Sequence, residues 1–462
     1  MITVSFTLFM DVLDSNIINT AIPAMSRSLN VSPVDLKVAL ISYFLSLAVF
    51  IPASGWTADK YGTKHVFIAA LGIFTCSSFW CGYATTLTQL VIARCFQGIG
   101  GAFMLSLGRL IIVRTFKRHE LMEAMNTIII IVALAVMLGP FIGGFITDHF
   151  SWPWVFWVNI PAGILAMLIG SYAIEDTTPR APRPFDYIGF VLFGGSLALF
   201  CFALSELSET NTKRHLASIM IAIAVSMFIG YIFHAKRHKH PVVRIDLMRI
   251  RTFRLSVCGN LFSRLGFNGM PFLLPLMQQL ALGFSAQFSG LLLVPMAFGI
   301  IFSKLTSTRI LRRFGYKKFL VSNTIIVGLV VWLFQLVNLS TPPAMIAVLT
   351  FILGTFISAQ FTAMNSIAFA DIPEDILSAA TSITSTVQIF ASSLSVAISA
   401  ILLRYFASGT ANPTLLTTTV FHHTFFALGA ITILSTVFFL TMHKNDGKQM
   451  LSPHPKTEAE IS

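Results

Sequence analysis

Charge is what this sequence has least of. Only 11% of its 462 residues are charged, less than half of the roughly 25% usual in soluble domains. Acid is scarcer than base, 19 residues against 31, while 55% are hydrophobic. That balance excludes a water-soluble enzyme. Cysteine is also rare: five residues (76, 81, 95, 201, 258) lie in apolar stretches with no C-x-x-C pair or nearby histidine, so neither disulfides nor a metal site is expected. The sequence lacks a G-x-x-x-x-G-K-[ST] phosphate loop, which argues against an ATP-driven pump. It also lacks H-E-x-x-H or any base–nucleophile arrangement, so a membrane enzyme is not expected.

Long apolar runs are present instead. They occupy 2–25, 37–58, 66–84, 88–113, 124–147, 153–174, 186–206, 216–234, 254–282, 287–307, 319–338, 342–366, 380–404 and 420–442. Each is near the roughly 20 residues that cross a bilayer as a helix. Fourteen spans put both termini on one side, and the basic residues say which. With the N-terminus inside, the inner loops and tail hold 23 Lys and Arg residues and the outer loops hold 5. This asymmetry predicts cytoplasmic termini. The net charge of +12 is spread over loops beside lipid headgroups, so membrane lipid rather than nucleic acid is the expected partner. The first run shows no A-x-A cleavage site and is expected to stay as a helix. Met1 stands at its edge with no basic lead-in, which leaves room for a start upstream.

Two polar stretches, "EDTTPRAPRPFD" (Glu175 to Asp186) and "AKRHKHPVVRIDLMRIRTFR" (Ala235 to Arg254), divide the chain. They predict an all-α membrane protein of two six-helix bundles, 1–175 and 236–442, with a linker and inserted helix pair at 176–235 and a cytoplasmic tail at 443–462. The outer sixes look like repeats. After the second helix of each comes a similar loop, "DKYGTKH" (Asp59 to His65) and "RRFGYKK" (Arg312 to Lys318). Such repeats bind substrate between their halves.

The residues that could carry chemistry are the ionisable ones that hydrocarbon should exclude. A charge at mid-span costs ~2.5 kcal/mol or more. Asp14 lies near the middle of the first run, and Asp11 one turn nearer the inner side. At about 100° per residue, Asp11, Ser15, Asn19 and Asn16 fall roughly 60°, 100°, 140° and 200° from Asp14, giving that helix a polar half. Helix four carries "ARCFQGIGGAF" (Ala93 to Phe103). Arg94 cannot lose its charge and needs an anion, for which Asp14 or Asp11 is the candidate. Gly98, Gly101 and Ala102 give one small-residue face for close helix contact. In "SGWTADKYGTKHVF" (Ser54 to Phe67), Gly62 can take a positive φ while Asp59, Lys60 and Lys64 form a latch. Gly139, Pro140, Gly143 and Gly144 predict a kinked, closely packed helix five. Gln97, Arg264 and Gln279 are substrate-cavity candidates, with Arg264 expected to meet an acidic substrate group or Asp11.

These motifs carry a resemblance. Gly55, Asp59, Lys60, Gly62 and Lys64 resemble the loop motif of the major facilitator superfamily, and Arg94, Gln97, Gly98, Gly100 and Gly101 its helix-four R-x-x-Q-G-x-G. "LGPFIGG" (Leu138 to Gly144) is similar to the G-P-x-x-G-G of its proton-driven exporters. "LDSNIINTAIP" (Leu13 to Pro23) and "WPWVFWVNIPAG" (Trp152 to Gly163) resemble the fourteen-helix drug:proton antiporters, the EmrB/QacA group. Thr63 stands where the loop motif usually has a base, and Ala135 where the helix-five motif often has another glycine. The resemblance implies alternating access, proton antiport and export of amphipathic small molecules from the bacterial inner membrane by a monomer. It implies no cofactor beyond the proton gradient, with proton coupling at Asp14 and Arg94 and an inner gate at the Asp59 loop; the polar half of helix one adds Asp11 as a further coupling candidate. Export of one specific metabolite, such as a siderophore or amino-acid derivative, would use the same scaffold. A transport-inactive sensor or scaffold would not need the retained Asp14, Arg94 and Asp59.

Overall fold

Backbone N–H and C=O groups surrounded by hydrocarbon must bond within their own segment, and an apolar chain of this length solves that with helices. A computed structural model of the protein describes residues 2–116, 121–174, 184–207, 211–373, 376–409, 416–443, 445–447 and 450. Lys117, Arg118, Arg180, Arg183, much of the Pro-rich linker and most of the 443–462 tail lie outside these residues. Among the described residues every regular element is helical, and twelve helices are long and apolar enough to cross a membrane. The first six elements are α1 (Ile2–Leu29), α2 (Lys37–Tyr61), α3 (Thr63–Tyr83), α4 (Leu87–Thr115), α5 (Leu121–His149) and the short α6 (Trp154–Trp157), which leads into α7 (Asn159–Ala173). The hairpin α8 (Tyr187–Leu207) and α9 (Asn211–Arg237) follows. Then come α10 (Arg251–Phe267), α11 (Met270–Leu276), α12 (Ala286–Leu333), α13 (Pro343–Ala368), α14 (Leu377–Ser408), α15 (Thr418–Leu434) and α16 (Thr436–Leu440).

Two glycines set the tight turns. Gly62 joins α2 to α3 at φ 86°, and Gly315 bends α12 at φ 74°. Both values lie in the left-handed region that side chains avoid and glycine enters freely. The two loops singled out as repeats thus share one backbone solution at matching places. The expected single span at 254–282 is instead broken: α10 ends at Phe267, α11 restarts at Met270, and a π-helical turn covers Met277–Ala281. Its i→i+5 bond from the Leu282 amide to the Met277 carbonyl, 3.0 Å, shifts the register so that Gln278 points into the protein.

The buried core is asymmetric along the helices. Toward the α1–α2 connection, which holds Asp35, one continuous cluster takes members from both halves, from Ile17 and Met25 to Met277, Leu353 and Leu403. Toward Gly62 and Gly315 it separates. There the buried members of one cluster (Leu8, Phe67, Met104) all come from the first half, and those of another (Leu311, Tyr316, Met364) from the second. The halves are therefore welded at the Asp35 end and cored separately at the Gly62 end.

Candidate functional site: a buried charge network in the first six helices

The site is built where α1, α2, α3, α4 and α7 converge. Thr86 starts α4 by accepting from the Gln89 amide, while Gln89 reaches back to the Thr85 amide at 2.9 Å, a reciprocal cap that fixes the helix carrying Arg94. Close approach of α4 to α2 depends on glycine. A Cβ on Gly98 would stand 2.5 Å from the Tyr43 carbonyl, and one on Gly101 would stand 2.7 Å from Asp11 Oδ1. Both glycines of the small-residue face therefore meet α2 or the acid beside it. Gly100 instead admits α3, at 2.8 Å from the Ala70 carbonyl.

Arg94 and Asp14 are both fully buried and paired, Nη1 to Oδ2, at 2.5 Å. Asp14 Oδ1 also accepts from Gln97 Nε2 at 2.9 Å and Asn159 Nδ2 at 2.8 Å. Gln97 is held in turn, accepting from Arg94 at 2.6 Å and donating to Ser78 at 2.8 Å. The guanidinium lies 4.1 Å from the Tyr43 ring centre and 5.7 Å from that of Phe156. Its Nε and Nη2 find no acceptor among the described residues. Asp14 is thus surrounded by donors, whereas Arg94 rests on one carboxylate, the Gln97 amide oxygen and two aromatic faces. Asp11 has its own partner: its Oδ1 accepts from Tyr43 Oη at 2.6 Å. The network contains two carboxylates and one arginine.

The remaining polar half of α1 bonds to its own backbone. Ser15 donates to the Asp11 carbonyl, Asn16 to Val12 and Asn19 to Ser15 and Asn16. Gln97 does not line open space as a cavity residue would, because it is buried with its amide engaged. Arg264 does not meet Asp11. Its Nε donates to Asn260 Oδ1 at 2.5 Å and its guanidinium stacks 3.8 Å over Phe361, with no carboxylate partner among the described residues. Gln279 lies away from it, donating to the Thr20 carbonyl at 3.0 Å across the two halves.

The helix-five glycines join the halves at the Asp35 end. Gly139 faces Asn16, and Gly143 faces the Ile17 carbonyl and Thr20, so α1 and α5 lie close together. Gly144 abuts the Ala286 backbone, and Gly290 of α12 abuts the Pro140 carbonyl. Asp148 completes the contact by accepting from the Gln287 amide at 2.7 Å and the Ala286 amide at 3.3 Å, capping α12 from the other half. Arg404 pairs with Asp35 nearby. At the opposite end, Lys60 lies 4.8 Å from the Trp56 ring centre and 5.0 Å from that of Tyr61, with Asp59 and Lys64 part-buried beside it. A Cβ on Gly55 would meet nothing within 4 Å. Asn159, Tyr43, Ser78 and Asp148 were not singled out from the sequence. A lone Asn in the apolar run after Trp157 was the one available signal for Asn159.

The sequence model of the Major Facilitator Superfamily matches residues 4–396 and, again, 256–460. The chain belongs to this superfamily. Superfamily membership makes it a transporter rather than an enzyme, embedded in membrane and acting on small molecules. Among its relatives is the MdtD protein of Pectobacterium atrosepticum, provisionally named a multidrug resistance protein, 36% identical over 94% of each chain. The Escherichia coli O157:H7 protein of the same name is 32% identical over 99% of this chain and 97% of its own. Solved superfamily-like folds include a bacterial homologue of the lysosomal transporter Spinster, inward-facing and unoccupied, with a TM-score of 0.67, 14% identity and 98% coverage of each chain. A D-xylose–proton symporter superposes with a TM-score of 0.68 at 12% identity, covering 96% of this chain and 98% of that one. These two share the fold. The protein is a multi-pass protein of the bacterial inner membrane.

Proposed function

We propose that the protein is a proton-driven exporter of drugs or other amphipathic small molecules, working by alternating access. In this reading α1 and the broken α10–α11 segment join the twelve long helices to give fourteen spans: two six-helix bundles, an inserted pair at 176–235 and cytoplasmic termini. The basic loops support placing the Gly62 end in the cytoplasm. The continuous core at the Asp35 end then corresponds to a closed outer side.

The observation that carries the proposal is the charge count at the site. Arg94 pairs with Asp14, so the second buried acid, Asp11, bonded to the Tyr43 hydroxyl, leaves one negative charge uncompensated. A proton is the smallest cation that can neutralise it, and its binding or release changes what Arg94 holds. Asp11, Asp14 and Arg94 thus act together as the coupling group, with no cofactor beyond the proton gradient. The test is proton movement in everted vesicles under an imposed inside-acid gradient, with cationic dyes, drugs and siderophore-like acids as triggers. Substrate-triggered dissipation that is lost in both Asp14→Asn and Asp11→Asn supports antiport. Equal responses in wild type and both variants sink it.

Arg264 favours a second reading. A buried cation without a carboxylate partner among the described residues is suited to an acidic substrate group, as an exporter of one specific metabolite would need. In that case only the acids in the panel respond, and Arg264→Gln abolishes the response.

A further inference from the structure

The inserted hairpin is anchored by Asp186. This buried acid caps α8 by accepting from the Gly189 amide at 2.8 Å, and it also holds His234 of α9 at 2.6 Å and the Val242 amide at 3.3 Å. Tyr231 Oη adds a second tie, donating to the Val243 carbonyl and accepting from the Val243 amide, both at 2.8 Å. These bonds fold the 238–250 segment under the hairpin and leave two joined spaces. One, of about 500 Å³, lies between α8, α9 and α14 and is walled by apolar side chains such as Leu197, Phe200, Phe228, Val387 and Phe390. The other, of about 970 Å³, lies beyond the end of α9 and is lined by Lys236, Lys239, Arg249 and Arg254. Ile232, Ile245 and Met248 line both, so the apolar groove opens directly into the basic basin.

The basin's charge is available for an anion. Arg244 is paired with Asp246 at 2.7 Å, and its hydrogen bond holds that carboxyl below the usual carboxylate range. Arg254 donates to the Met248 carbonyl. Lys236, Lys239 and Arg249 are exposed and have no acidic partner among the described residues. Val225 and Phe228 of α9 reach the surface beside the groove, at 45% and 41% exposure, so its mouth faces hydrocarbon. Apolar length at membrane depth, continuous with clustered cations where the helix ends, has the outline and charge of one molecule class.

We propose that this groove and basin bind one anionic phospholipid, its acyl chains along α8, α9 and α14 and its phosphate among Lys236, Lys239 and Arg249. The lipid joins the inserted hairpin to the second half, which explains why the hairpin is built with a groove rather than packed flush. The site is independent of the charge network in the first half.

The test uses the full chain in detergent, titrated with phosphatidylglycerol, phosphatidylcholine and inorganic phosphate while its thermal midpoint is followed. Phosphatidylglycerol is expected to raise the midpoint saturably, and the other two to leave it unmoved. At ~1 kcal/mol per cation, the triple variant Lys236→Gln, Lys239→Gln, Arg249→Gln weakens the lipid's half-saturation about a hundredfold. Val387→Trp, which fills the groove without touching a charge, also abolishes the effect. Should that variant run as a misfolded species on size exclusion, Phe228→Trp replaces it. Equal stabilisation by inorganic phosphate would make the basin a headgroup site only, and equal stabilisation by phosphatidylcholine a non-specific lipid contact. Either result, or unchanged lipid binding in the groove variant, overturns the proposal.

Discussion

Breaking the Arg94–Asp14 pair from either side should give unequal losses, and removing both charges should restore much of what is lost. Removing one member of a buried pair costs ~3–5 kcal/mol because the other is left uncompensated. Asp14→Asn should fall in that range. Arg94 would keep its charge with Nε and Nη2 already unpartnered and only Gln97 and the aromatic faces to hold it. Arg94→Met should cost less, ~2–3 kcal/mol, because Gln97 and Asn159 still donate to Asp14 at 2.9 and 2.8 Å. The double variant buries no unpaired charge at this position and should sit within ~1 kcal/mol of wild type, as apolar or neutral replacements of buried pairs often do. Unfolding midpoints of the four purified proteins in one detergent form a double-mutant cycle with an expected coupling of at least ~4 kcal/mol. Additive losses would refute the argument that electrostatic pairing dominates this site. The same four proteins separate structure from coupling: a stable double variant that still exchanges protons for substrate would reduce the pair to scaffolding.

Three further outcomes follow from individual contacts. Gly101→Ala should cost ~1–3 kcal/mol by overpacking and break the Asp11–Tyr43 bond, since its Cβ would stand 2.7 Å from Asp11 Oδ1 and 3.1 Å from Tyr43 Oη. A thermal midpoint equal to wild type would contradict that geometry. Gly55→Ala should leave stability unchanged, because nothing lies within 4 Å of the new methyl, yet reduce transport if Gly55 admits a neighbour when the Gly62 end closes. Full transport activity would remove Gly55 from the gate. Asp148→Asn should weaken the cap on α12 by ~0.3–1 kcal/mol and raise thiol-reagent labelling of a Thr20→Cys reporter at the Asp35 end. Unchanged labelling would show that the cap does not bias closure.

Much of this arrangement is legible in the sequence because hydrocarbon permits so few answers. Arg94 had to meet an acid, and Asp11 and Asp14 were the candidates at its depth, so the pair followed from scarcity. Gly62 followed from the shortness of the α2–α3 turn. What was not legible lies where two distant segments meet. Nothing in the spacing of Asn159, Tyr43 or Ser78 relates them to Asp14, because their convergence depends on how five helices pack. Arg264 was expected near Asp11, but the break between α10 and α11 and the π-helical turn follow from packing that no apolar run length records. Asp148 looks like an ordinary loop acid until α12 of the other half is seen to start against it.

The contacts at the Asp35 end are also of a kind suited to being undone. The Asp148 cap, the Gln279–Thr20 hydrogen bond and the Arg404–Asp35 pair are each worth at most ~1–1.5 kcal/mol. The glycine contacts between α5 and α12 place backbone on backbone, with no side chains to unlock. Reversing a 1:99 conformational preference takes ~5.5 kcal/mol of differential interaction. A buried carboxylate that gains or loses a proton beside an arginine changes its local energy by a comparable amount. Asp14 belongs to the helix that Gly139 and Gly143 clasp, so a change of charge there acts directly on α1, whose Thr20 carbonyl takes the hydrogen bond from Gln279. On the proposed mechanism, α1 is therefore the element that transmits proton binding to the closed end. A substitution that loosens α1 from α5, such as Gly143→Val, should uncouple proton exchange from opening while leaving the Asp14–Arg94 pair formed. Intact coupling in that variant would place the transmission elsewhere.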